Sequence, residues 1–407
     1  MKILQLCKKF PYPLKDGESI AVTYMSRALK ELGCEITLLA MNTLKHHSDV
    51  SQIPEDYNHY KNIHFVDIDS SVKPLDAFLN LFSNKSYNIS RFISNDFKNK
   101  LVEVIQSEDF DVIQLETLYL APYVPIIKEH TNALVAMRAH NVEHEIWDRI
   151  THNTSFYPKK WYLNHLAKKL KKFEVNNLNT YDLLIAITER DLGIFRNLGY
   201  QNGAIASPIG IDINYYKPKN LQKPTQNLSM SFIGSLDWLP NLEGLNWFLN
   251  NIWEEASKQF PNLELHVAGR NTPGNLLNNK VNNVKFHGEV PDAMEFINEH
   301  PVMIVPLQSG SGMRVKILEG MALGKLVITT SVGLEGIHAK HKEQVLIANT
   351  PGEFVEAIAF CDANPDKVAA FGNAAKVFVQ QQFDNKEIAK ELFKKYNYYL
   401  FKEQETA

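Results

Sequence analysis

At 407 residues the chain is too long for one hydrophobic core, and two domains are expected. With 44% hydrophobic and 22% charged residues it has a soluble globular composition, and a net charge of −3 argues against nucleic acid as a partner. Cys7, Cys34 and Cys361 are far apart and lack metal-ligand spacing, so they read as free thiols in a reducing cytoplasm. Ile3 to Leu6 is too short for a secretory signal, and no apolar run approaches membrane-spanning length.

Lys2 to Phe10 reads as a strand, followed by a proline-rich turn and the stretch from Lys15 through Gly17 and Glu18 to Ser19. Ile20 to Leu32 has helical periodicity closed by Gly33, and Glu35 to Ala40 is the next strand. The loop of this βαβ unit lies at the carboxyl end of its first strand, where α/β sheets bind ligands. Asp67 and Asp69 have the D-x-D spacing of some metal sites, but nothing around them supports a metal. Leu75 to Ile105 mixes apolar and aromatic residues, as either a core helix or an acceptor-side surface would.

Val112 to Leu115 is a strand ending at Glu116, and Ala133 to Met137 is a strand running into Arg138-Ala139-His140-Asn141-Val142-Glu143. A histidine just past a strand end is well placed to share a proton near neutral pH. His140 and His144 are four apart, but Glu143 does not complete an H-E-x-x-H pattern, and no metal is expected. From residue 156 to 173 there are six lysines and no acid, with Leu163, Leu166, Leu170 and Phe173 forming an apolar stripe. This helix packs on its own domain with a solvated lysine face, and its lysines can also meet an anionic membrane surface.

Leu183 to Ile187 is a strand ending at Thr188, and the proline-spotted stretch from Ser207 to Asn227 marks the domain boundary. The second α/β series opens with Met230 to Gly234 and continues with strands at 263–269, followed by Arg270, and at 284–289. Met303 to Leu307 is a strand, Gln308 to Gly312 a glycine–serine loop, and the helix begins in or just after that loop. Free amides and the helix dipole make such a loop an anion site. Arg314 and Lys316 place cations in the first turn, against the dipole, which points to an anionic partner. Glu319, one turn further in, is placed to accept hydrogen bonds from ribose hydroxyls. Helices follow at 351–362, 364–382 and about 385–401.

SGSGMRVKILEGMALGKLVITTSVGLEG resembles the donor-binding signature of the retaining GT-B glycosyltransferases of family 4, with Glu319, Met321, Ala322, Gly324, Val327 and Ile328 on matching positions. Arg138 to Glu143 is similar to that family's acceptor-domain motif, whose histidine contacts the transferred sugar, and this implies a catalytic role for His140. Gly17 matches the first of two loop glycines near the donor diphosphate; Glu18 replaces the second. Ser311 stands where the family has another glutamate, and Ser235 and Asn241 stand where it has a diphosphate-binding arginine and lysine. Arg314 and Lys316 are expected to replace those cations.

The resemblance implies α/β GT-B architecture, two Rossmann-like domains facing a deep cleft. Residues 1–206 would form the acceptor side, 207–384 the donor side, and 385–407 a helix crossing back. It further implies a retaining enzyme that needs no metal and moves a sugar from a UDP- or GDP-sugar to a glycan or lipid-linked acceptor. Gly17, Ser311, Gly312, Arg314, Lys316, Glu319 and Arg270 would bind substrate. A cytoplasmic location is expected, with peripheral contact at the inner face of the cytoplasmic membrane through 156–173. Two other readings stay open: a nucleotide-sugar 2-epimerase of the same fold, and a catalytically silent membrane-associated binding subunit.

Overall fold

The computed structural model describes residues 1–14, 16–44, 47–49, 53–54, 57, 59–217, 228–277, 281–310 and 312–406. The chain divides into two compact units, Met1–Gly210 with Asn385–Ala407, and Ile211–Asp384. Each is a parallel sheet clothed by helices.

Among the described residues, the first unit has β1 (Lys2–Cys7), β2 (Glu35–Thr43), β3 (Asn62–Ile68), β4 (Val112–Leu115), β5 (Leu134–Ala139), β6 (Leu183–Ala186) and β7 (Gly203–Ala206), in the spatial order β3-β2-β1-β4-β5-β6-β7. The central strands are buried almost end to end, as parallel strands covered on both faces must be. One side packs Leu4, Leu39, Ile113 and Val135 against Phe97 and Leu101, and the other packs Ile3, Ile36 and Val112 against Met25 and Leu29.

The first helix, Gly17–Glu31, is capped by Asp16, whose side chain accepts from Ser19 N at 3.0 Å. Gly33, at φ +88°, lets the chain turn from it into β2. The last helix, Asn385–Thr406, buries Ala389, Leu392 and Tyr396 in the first unit's core, and Asn385 Nδ2 donates to Tyr24 O.

The second unit has β8 (Ser229–Ile233), β9 (Glu264–Ala268), β10 (Val284–Gly288), β11 (Val302–Val305), β12 (Leu326–Thr329) and β13 (Val345–Ile347), in the order β10-β9-β8-β11-β12-β13 among the described residues. Its core gathers Phe232, Leu265, Ile304 and Ile328 with Phe248, Trp253 and Phe354. No helix among the described residues is long and apolar enough to cross a membrane.

The stretch from Leu75 to Ile105 divides in two. Phe97, Leu101, Val104 and Ile105 of helix Asn95–Ser107 enter the core, whereas Leu75, Phe78 and Phe82 remain exposed around helix Pro74–Asn80.

Candidate functional site

In an open parallel sheet the carboxyl ends of strands bind ligands where the strand order reverses. In the first unit that point lies between β1 and β4. Three polar residues interrupt the apolar runs beside it: Gln5 in β1, Gln114 in register with it in β4, and Arg138 in β5. All three reach Glu116, which is fully buried just past β4. Glu116 accepts from Gln5 Nε2 at 2.5 Å, Arg138 Nη1 at 3.4 Å and His140 Nε2 at 2.9 Å, and also from Gln114 Nε2. Tyr396 of the last helix donates to Gln114 Oε1, which aims the amide nitrogen at the carboxylate.

Burial alone would raise the Glu116 carboxyl, but Arg138 and the His140 bond hold it down at about 2. Glu116 is therefore ionised and can only accept. His140 Nε2 must then carry the proton of their shared bond, leaving Nδ1 to act on a ligand.

The neighbouring Glu18 and Glu174 are compensated in the same way, whereas Glu143 is not. Lys8 and Lys9 directly follow β1, with Lys8 Nζ 3.2 Å from Glu18 Oε2 and Lys9 Nζ 2.6 Å from Asp16 Oδ1. Burial raises the Glu18 carboxyl, but Lys8, Lys9 and His140 outweigh it and leave it below its usual range. The two lysines thereby offset the negative charge that Glu18 brings to this loop. Glu143 accepts from Tyr119 Oη at 3.1 Å. Burial raises its carboxyl to about 7, with Lys8 opposing and Glu174 adding to the rise. Glu174 accepts from Glu143 N at 3.0 Å and His144 Nδ1 at 2.5 Å, so His144 anchors its helix. Thr188 caps helix Glu189–Asn197 by accepting from Asp191 N at 3.0 Å.

In the second unit the reversal lies between β8 and β11, and the loops after these strands meet through one lysine. Lys316 Nζ donates to Asn241 Oδ1 at 2.7 Å and to Ile233 O at 3.2 Å. Asn241 Nδ2 in turn donates to Ser235 O at 2.9 Å. A Cβ at Gly234 would come within 2.7 Å of Asn241 Nδ2 and 3.0 Å of Lys316 Nζ, so a larger residue there would push this junction apart. Burial lowers the Lys316 amine to about 7; Arg314 lowers it further and Glu319 opposes. Glu319 accepts from Tyr216 Oη at 2.7 Å. Burial raises its carboxyl, against the pull of the Tyr216 bond and Lys316. Arg314 is buried, donates through Nη1 to Gly312 O, and lies 5.7 Å from the Trp238 ring.

Two expectations need adjustment. The helix starts at Val315, and Arg314 is its cap residue, so of the two cations only Lys316 stands in the first turn. The left-handed backbone at Gly312, φ 76°, delays helical geometry. Gly17 is the first residue of its helix and lies outside the loop proper. Ser311 lies outside the described residues. Arg270 follows β9, and its carbonyl accepts from Leu236 N at 2.9 Å, which brings it beside the β8 loop. Asp67 accepts from Asn42 Nδ2 and Asp69 from Ser71 N, and among the described residues no acid, histidine or cysteine cluster has metal-binding geometry.

Sequence reasoning did not identify Glu116 as a hub, nor Lys8, Lys9 and Tyr216 as site residues. The signal for Glu116 was present: Gln5, Gln114 and Arg138 each break an otherwise apolar strand.

Residues 228–363 match the family model described as Glycosyl transferases group 1. The matched segment contains the Lys316–Asn241 junction and Glu319. A Klebsiella pneumoniae protein, described as an uncharacterized 44.6 kDa protein in the cps region, is 23% identical, covering 97% of this chain and 99% of that protein. The fold is that of GT-B glycosyltransferase structures. Sucrose-phosphate synthase from Thermosynechococcus elongatus superposes with a TM-score of 0.74 at 16% identity, covering 98% of each chain. Anabaena HepE, solved in complex with UDP-glucose, superposes with a TM-score of 0.68 at 16% identity, covering 97% of this chain and 98% of its own.

Proposed function

We propose that the protein is a retaining, metal-independent glycosyltransferase of family 4 that uses a UDP- or GDP-sugar donor. Its acceptor is a glycan or lipid-linked glycan in polysaccharide or glycoconjugate biosynthesis, and it acts in the cytoplasm. The observation that carries this reading is Lys316, drawn from its helix to the β8 loop at Asn241. A cation there restores the positive charge that Ser235 and Asn241 do not supply.

Breaking the bond between the anomeric carbon and the diphosphate oxygen leaves negative charge on the departing phosphate. Lys316, Arg314 and the Gly312 amide are suited to hold that charge, because preorganised donors in a dry site act without reorganising. Glu319, with one oxygen held by Tyr216, binds the donor ribose. Gly312 and Arg270 complete the donor contacts of this unit. His140 presents Nδ1 to the transferred sugar, its ring fixed by the ionised Glu116.

Incubation of the purified protein with a panel of nucleotide sugars tests this reading. Sugar transfer or slow donor hydrolysis that persists in a chelator is expected. An epimerised donor would assign the fold to 2-epimerase chemistry, no turnover of any donor would assign a binding role, and activity restored only by Mg²⁺ would return Asp67 and Asp69 to the site.

A further inference from the structure

Gln5 and Gln114 both donate to one oxygen of Glu116, Oε1, while Arg138 and His140 both donate to the other, Oε2. Donors paired in this way fix the plane of a carboxylate that is otherwise free to rotate about its last bond. Each glutamine is buried and turns its nitrogen to Glu116, which leaves its own oxygen in need of a donor.

A tyrosine meets that need in both cases. Tyr60 Oη donates to Gln5 Oε1 at 3.0 Å, and Tyr396 Oη donates to Gln114 Oε1. Burial raises both phenols well above their usual range, so each keeps the proton it donates. Tyr60 is held in turn: Ser26 Oγ donates to Tyr60 Oη at 3.1 Å, and His59 Nε2 lies 2.8 Å from Ser26 Oγ. The two tyrosines come from parts of the fold that supply nothing else to the hub, Tyr60 from just before β3 and Tyr396 from the last helix.

A neutral amide does not relay a proton, so what passes along these chains is orientation. With either phenol removed, one glutamine oxygen is buried without a donor, and the amide gains by turning to find one. Its nitrogen then leaves Glu116 Oε1, the carboxylate rotates, and Oε2 no longer faces His140 Nε2.

We propose that Tyr60 and Tyr396 are positioning residues for His140: through Gln5 and Gln114 they clamp the Glu116 carboxylate in the plane that holds the imidazole in one orientation and one tautomer. The effect on turnover rests on the reading of His140 as the group that meets the transferred sugar; the effect on the ring does not.

Nitrogen NMR of the histidine rings in the isotopically labelled full chain tests the clamp, with the His140 signal identified by its loss in His140→Gln. Wild type should show a ring protonated at Nε2 and bare at Nδ1. Tyr60→Phe and Tyr396→Phe should each broaden or split that signal as the other tautomer enters. Each should also lower sugar transfer by about tenfold, with the donor KM within about twofold of wild type. Tyr123→Phe is the control: Tyr123 is buried in the same unit, but its hydroxyl donates to Phe92 O at 2.8 Å rather than to a glutamine, and the His140 signal should stay as it is. Either tyrosine tests the clamp alone should the other variant fail to fold.

A wild-type ring bare at Nε2 would overturn the proposal. So would a His140 signal unchanged in both phenylalanine variants, because the tyrosines would then only satisfy two buried amides. A change of equal size in Tyr123→Phe would also overturn it, as general loosening of the unit. A disturbed ring with undiminished transfer would support the clamp and remove His140 from the reaction.

Discussion

Glu143 apart, the carboxyl edges of the two sheets treat charge in opposite ways. In the first unit Glu116 is surrounded by donors on three strands, Glu18 has Lys8 and Lys9, and Glu174 has His144. In the second, burial and Arg314 disfavour the charge of Lys316, and burial disfavours that of Glu319. A network that satisfies itself is rigid and holds one histidine in one tautomer. An edge whose lysine is kept near its titration point gains most from an anion, which would stabilise the protonated amine. On the proposed function, the difference separates an edge that positions a histidine from one that binds the donor.

The first edge should break by unfolding. Glu116→Ala leaves Arg138 buried without its carboxylate and should cost about 3–5 kcal/mol in urea unfolding of the first unit. A loss no larger than that of an ordinary surface substitution would show that the network is not self-supporting. Next in size, His140→Ala should lower sugar transfer by about a hundredfold while leaving nucleoside diphosphate affinity in place, as titration calorimetry would show. Affinity and turnover falling together would make His140 part of the binding apparatus, and the two edges would no longer divide their labour.

The second edge should break by losing ligand. Lys316→Ala or Arg314→Ala should weaken nucleoside diphosphate binding by about 1–3 kcal/mol and leave bare nucleoside binding nearly unchanged. Glu319→Gln should weaken both ligands by a similar amount, because the ribose is common to them. Equal losses for both ligands in the lysine variant would mean that the Asn241 junction had collapsed.

Much of the second edge was legible because its parts are close in sequence. A strand, a glycine loop, two cations and a carboxylate fall between residues 303 and 319, and helical spacing relates them. The bond from Lys316 to Asn241 was less so, since it joins positions 75 apart. The first edge was legible at His140 and in the loop that carries Glu18, but not at its hub. Its hub draws on residues 5, 114, 138 and 396, which strand order and the last helix bring together. The exposure of Phe78 and Phe82 was equally hidden, because a core helix and a surface helix can share one apolar composition.

Lys316, with its amine held at about 7, is the proposed cation of a diphosphate site. Below that point the amine is already charged; above it, an anion must draw a proton from solvent. Diphosphate affinity should therefore fall as pH rises from about 7 to about 9, with net proton uptake in that window. Isothermal titration of UDP and GDP against the matching nucleosides, in buffers of different ionisation enthalpy at about pH 8, measures both quantities. Proton uptake is expected with the better diphosphate, none with its nucleoside, and none in Lys316→Met. Diphosphate binding that takes up no proton, or that is as tight in Lys316→Met as in the wild type, would contradict it.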